Sequence, residues 1–350
     1  MKSIYLAAAA LLCSAAIASA QEAGSTVSQD SKTELLNVDV KARADWQGLW
    51  DDGNTNDANT GFEGKYLMLK LDGEIVPGLK YAWRQRFNKS VVDGNFFDAT
   101  DWINLTYSTH NFEFSAGKQI VGIGGYEYDL NPADVYSYSL FTQNIACYQF
   151  GASVAYNVTP ADKLMFQVSQ SMFHSPGNRN MYSYNLMWAG RHGLYSSLWS
   201  VNLAEYAKGR YISYIALGNQ FELGPVTLQL DFMNRAASHQ AYLFRDCSVM
   251  GDLSYAPSDH WRIHAKMTYD VNRTNTAADL CVLPGTEFKM AGGAVEFFPL
   301  RKKRTSLRLH AGCYYGWGRN TNAGDLLHNK STFLSCGVTW DMNLFKLYRK

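Results

Sequence analysis

The chain has 350 residues, and its 32 Lys and Arg against 31 Asp and Glu exclude the basic excess expected of a nucleic-acid binder. Aromatic residues make up 14%, with 22 Tyr and 9 Trp, while Gly reaches 28 and Pro only 8. Tyr and Trp suit membrane–water interfaces, although a large secreted soluble β-protein could share this composition.

Lys2, an apolar run over residues 4–17 and Ala18-Ser19-Ala20 read as a secretory signal over 1–20. The run is shorter than the roughly 20 residues a transmembrane helix needs. Gln21, not Cys, follows the cleavage site, so a lipoprotein is not expected. Residues 21–33 are polar and read as a flexible periplasmic lead. No later segment approaches roughly 18 continuous apolar residues, so no transmembrane helix is expected.

Alternation begins at once. Leu36, Val38, Val40, Ala42, Ala44 and Trp46 share one face; Asn37, Asp39, Lys41, Arg43 and Asp45 share the other. Residues 51–60 carry turn chemistry and read as an outer loop. Residues 66–76 and 79–88 form a hairpin around Val76-Pro77-Gly78, with Lys70, Lys80, Arg84 and Arg86 on its polar face. Gln85 interrupts the apolar one.

Further strand pairs follow, separated by short turns at 108–111, 157–162, 190–193, 223–225, 256–258 and 299–305. The stretch Trp261–Asn272 is the clearest. Trp261, Ile263, Ala265, Met267, Tyr269 and Val271 alternate without a break against Arg262, His264, Lys266, Thr268, Asp270 and Asn272. About 12 residues suit a tilted strand crossing a bilayer. The fold expected is all-β, a transmembrane antiparallel barrel of about 16 strands over residues 34–350, with long outer loops and short periplasmic turns. No internal helix is expected. The longest non-alternating stretch, 117–144, contains Gly122-Ile-Gly124-Gly125-Tyr126-Glu-Tyr128 and reads as an ordered loop folded into the barrel as a constriction.

Enzyme chemistry finds little support. His264 and His310 fall on lumen faces, but no Ser in a G-x-S-x-G context accompanies them, and there is no H-E-x-x-H. The glycines at 122–125 precede no helix and no Lys-Ser/Thr, so a phosphate cradle fails on context. Five cysteines outside the signal lack a C-x-x-C pair; Cys247, Cys313 and Cys336 fall on apolar-face positions as small hydrophobes. The informative set is cationic: Lys41, Arg43, Lys70, Lys80, Arg84, Arg86, Arg262, Lys266 and Arg308 all lie on polar faces. In a narrow aqueous pore clustered Lys and Arg lower the barrier for anions. The competing expectation is that Asp39, Asp45, Asp72, Glu74 and Asp270 neutralise them as wall ion pairs.

The segments Phe62-Glu-Gly-Lys-Tyr-Leu-Met-Leu-Lys-Leu-Asp-Gly73 and Asp101-Trp-Ile-Asn-Leu-Thr-Tyr107 carry a family resemblance. So do residues 112–117 leading to Lys118-Gln119, and Val295-Glu-Phe-Phe-Pro299. On these the chain resembles the phosphate-selective porin O and P family, in its Bacteroidetes branch. The resemblance implies a 16-stranded, usually trimeric barrel in the bacterial outer membrane, surrounded by lipid, with an inward third loop and basic residues along the channel. Residues 122–141 match that loop by position, and Lys118, Arg84 and Arg86 carry over as pore basics. One departure is the ending Leu347-Tyr348-Arg349-Lys350, which lacks the family's terminal aromatic. The function expected is passive diffusion of small hydrophilic solutes, with preference for anions such as phosphate and without a cofactor. The alternative is a plugged structural or adhesive barrel that binds a partner through its outer loops.

Overall fold

The computed structural model describes residues 33–91, 95–175, 177–238, 240, 244–302, 305–323 and 328–349. The expected signal and, apart from Thr33, the polar lead lie outside the described residues. In chain order the first strands are β1 (Glu34–Asp51), β2 (Asn54–Thr55), β3 (Gly61–Val76), β4 (Leu79–Arg86), β5 (Thr100–Thr109), β6 (Phe112–Ile120), β7 (Tyr148–Asn157) and β8 (Asp162–Gln170). They are followed by β9 (Tyr182–His192), β10 (Tyr195–Ala207), β11 (Arg210–Leu223), β12 (Val226–Ala237), β13 (Asp246–Ser258) and β14 (Trp261–Asn272). The last are β15 (Glu287–Lys302), β16 (Thr305–Asn320) and β17 (His328–Tyr348). β2 is a two-residue ribbon in the first long connection. The others form a closed 16-stranded antiparallel barrel, sealed where β1 pairs with β17, Val40 opposite Met342.

The barrel is inside-out relative to a soluble domain. On β14, Trp261, Ile263 and Met267 are 46%, 44% and 62% exposed, whereas Lys266, Thr268, Asp270 and Asn272 are 5% or less. Apolar side chains point outward and polar ones inward, the arrangement that lipid outside and water inside select.

At one end the connections are tight. Pro77-Gly78 turns β3 into β4 with Gly78 at φ 83, the left-handed conformation that favours glycine. β13 runs on through Ala256–Ser258, where a turn was expected, and reverses at Asp259–His260, because the edge residues still pair with β14. The turn expected over 299–305 contains 303–304, outside the described residues. At the other end the connections are long, except for Lys208-Gly209 between β10 and β11.

Two short helices, α1 (Tyr126–Asp129) and α2 (Leu140–Asn144), correct the expectation of no helix. Each is about one turn, too short to leave a periodic signature. The non-alternating stretch begins at Val121, since residues 117–120 still pair with β7. Gln85 also finds its reason. β4 and β5 slip by one residue between Arg84 and Gln85, and Thr100 Oγ1 donates to Gln85 Oε1 at 2.6 Å, leaving Gln85 1% exposed. The five cysteines of the described residues are free thiols, Cys313 and Cys336 exposed and Cys247 and Cys281 buried.

Candidate functional site

Residues 121–147, between β6 and β7, touch the inner side chains of strands on opposite sides of the barrel, so they cross the lumen. On one side Gly122 N donates to Gln167 Oε1 (2.8 Å), Asn202 Nδ2 donates to Gly122 O (2.7 Å) and Gly124 N donates to Ser200 Oγ (2.8 Å). A Cβ at Gly124 would stand 2.4 Å from the Leu198 carbonyl oxygen, and Gly125 has φ 113. The glycines are there for close backbone approach to the wall. Glu127 N then donates to Asp231 Oδ2 at 2.8 Å.

An apolar core forms inside the barrel. Val121, Ile123, Tyr128, Leu140 and Phe141 from the loop pack on Ile212, Tyr214 and Met233 of the wall, with the Phe141 and Tyr214 rings 5.7 Å apart, edge to face. Tyr126 is buried beside it.

On the far side ionic contacts take over. Lys266 Nζ lies 2.5 Å from Glu127 Oε1 and donates to Ser137 O at 2.7 Å. Burial opposes charge on Glu127, but Lys266 and the hydrogen bonds from Ser139 outweigh it and hold the carboxyl below its usual range. Arg43 donates to the Ala133 and Val135 carbonyls at 3.2 and 2.8 Å, and pairs with Asp45 at 2.6 Å. Arg308 and Lys41 reach Asp134 at 2.8 and 2.9 Å, and Arg308 also meets Glu296 at 3.2 Å. Four of the expected pore cations, Lys41, Arg43, Lys266 and Arg308, therefore fasten the loop.

The remaining cations divide. Arg84 and Arg86 both bind Asp101, at 2.8 and 3.0 Å, and that carboxylate is fully buried. The Arg84 guanidinium lies 3.6 Å from the Trp102 ring centroid and donates from Nη2 to the Tyr148 hydroxyl oxygen at 2.5 Å. Lys70 is 3.4 Å from Asp72, and Lys80 is exposed, opposite Glu74 in register. Arg262 contacts Glu296 at 3.4 Å and lines a cavity of about 400 Å³ beside the loop with Tyr136, His264 and Arg308. His264 stands 3.6 Å from Asp252 and 3.3 Å from Glu296.

Lys118 corrects an expectation. It pairs with Ile103 and Phe150, both exposed on the outer face, so its side chain leaves the barrel on the lipid side. There its ammonium donates to the Phe97 carbonyl at 2.6 Å and is 8% exposed. It is not a pore residue.

The sequence reading missed Arg235, which is 1% exposed and bonded to Asp246 (3.0 Å), Asp279 (2.6 Å) and Ser248 (2.8 Å). Alternation gave it no signal, since the pattern on β12 breaks at Met233-Asn234 and residues 233–236 are all buried. The loop acids Glu127 and Asp134 carried none either, because no periodicity reveals their partners.

Residues 36–197 match the family described as phosphate-selective porin O and P. That stretch is less than half of the chain, and over it the sequence is similar to this family. The anion-selective porin from Comamonas acidovorans is similar in structure, with 12% identity, a TM-score of 0.62, and 88% of this chain and 99% of that one covered. The outer membrane channel DcaP of Acinetobacter baumannii gives 13% identity, a TM-score of 0.61, and 90% and 99%. OmpT, an outer membrane protein of Vibrio cholerae, gives 12%, 0.59, 90% and 99%. At such identities the likeness establishes the fold. No curated protein matches by sequence. The family match and the fold together are those of outer-membrane porins.

Proposed function

We propose that this porin passes small hydrophilic solutes by passive diffusion and prefers anions, phosphate among them. The observation that carries the preference is the pair of guanidiniums, Arg84 and Arg86, that share the single carboxylate of Asp101. One positive charge remains in excess, and a low-dielectric wall strengthens its field. Lys70 and Lys41 lie on the neighbouring strands, and an Arg fork matches phosphate-like oxygens in geometry. Residues 121–147, with Gly122, Gly124, Gly125, Tyr126 and Tyr128 seated on one wall, narrow the route. The porin neighbour that is anion-selective supports the preference, and the trimer form of OmpT supports a homotrimer in outer-membrane lipid.

Planar-bilayer recording tests the reading. In a KCl gradient the reversal potential should fall on the chloride side, and added phosphate should reduce the chloride current. Current carried mostly by K⁺ would overturn the anion preference. The many ties between loop and wall favour a second reading, a plugged barrel that binds a partner through its outer loops. Purified, folded protein that opens no channel would select it.

A further inference from the structure

A second connection enters the barrel beside the first. Residues 273–286 join β14 to β15, and Asp279 at their centre is 1% exposed. Its Oδ2 accepts from Arg235 Nε at 2.6 Å, while its Oδ1 accepts from the Cys281 and Val282 amides at 2.8 and 3.1 Å. One carboxylate thus both anchors the loop and shapes its turn. Cys281 and Val282 are fully buried and belong to the apolar core inside the lumen, together with Phe141 and Tyr214. The Cys281 carbonyl accepts from Asn144 Nδ2 at 2.9 Å, at the end of α2, and from Asn322 Nδ2 at 2.7 Å, on the connection after β16. Three connections converge on one peptide group.

Under this convergence the inner wall is closed. Inward side chains Asn185, Asn202, Ile212, Tyr214 and Arg235 are all 1% exposed or less. On β3 and β4 Met68 and Arg84 are buried, but the inward Lys70 and Arg86 keep contact with water, at 22% and 15% exposure.

We propose that residues 273–286 act as a clamp, with Asp279 as its positioning residue, seating the inward loop against β9–β12 and confining flux to the β3–β4 side. Arg235 faces two carboxylates, Asp246 and Asp279, and a buried ionic cluster of this kind is a weak device for stability alone. It is well suited to fixing one geometry, because a displaced Asp279 leaves charges unpaired.

The clamp rests on the channel reading, yet its test has a readout independent of conduction. Cys281 is a native reporter at the point of convergence. Full-length protein is folded, treated with a charged water-soluble thiol reagent, and mapped by peptide mass. Wild-type Cys281 should be protected. Asp279→Asn, and separately Asn144→Ala, should lose that protection and raise single-channel conductance, while the heat-modifiable gel band of the closed barrel persists. If Asp279→Asn fails to fold, Asn144→Ala decides. Reaction of wild-type Cys281, or protection and conductance unchanged in the folded variants, overturns the clamp. Should no variant conduct, the channel reading fails and the labelling alone decides the clamp.

Discussion

Arg84 and Arg86 hold the same carboxylate but stand in different surroundings. Arg84 is covered by Trp102 and bonded to Tyr148, whereas Arg86 keeps 15% of its side chain exposed. Arg86→Ala should therefore shift the reversal potential in a KCl gradient toward K⁺, and Arg86→Lys should restore most of it, because the charge returns without the fork. An unchanged potential in Arg86→Ala would remove this residue from the selectivity account. Glu127→Gln probes the other ionic set. It leaves Lys266 buried at 5% exposure without its carboxylate, a loss of about 3–5 kcal/mol for a broken buried pair. Denaturant unfolding in lipid vesicles would measure it. At this scale the sequence was half legible. Alternation placed nine of ten expected cations on the inner face, but Lys41, Arg43, Lys266 and Arg308 find partners in a loop without periodicity. Lys118 failed for a related reason: it was carried over by position beside the loop, whereas it still lies on β6, one residue out of phase with the inner face.

The strands were readable because lipid and water impose opposite demands on successive residues, and that contrast repeats every second position. Ends were less readable. β10 and β12 extend past the expected limits, since edge residues pair without needing a solvent contrast. The inward loop was legible only as an absence of alternation. Its path is set by discrete contacts, among them the close approach of Gly124 to the Leu198 carbonyl, where a side chain would have no room. Gly124→Val should lift the loop from β10 and raise open-channel noise in single-channel recordings. Noise and conductance at wild-type levels would mean that the close approach is not what seats it.

The molecule as a whole presents two surfaces to two solvents. Met267 lies at 62% exposure on the lipid face, where a Lys costs about 2–4 kcal/mol at the bilayer midplane. Met267→Lys should lose that much stability in vesicle unfolding, whereas Ser254→Lys, which faces the 400 Å³ cavity, should lose far less. Equal losses would contradict the assignment of faces. The near-zero net charge concealed this division, since the total says nothing about which side of the wall each charge occupies.

The apolar core around Phe141 and Tyr214 lies inside a cylinder whose outer wall meets hydrocarbon. Sealing the outer wall moves apolar groups between chain and lipid, with little change in hydration. Seating the loop moves apolar groups out of water, and such a transfer carries a heat-capacity change. The inward loop should therefore leave its own calorimetric signature and weaken on cooling while the barrel holds.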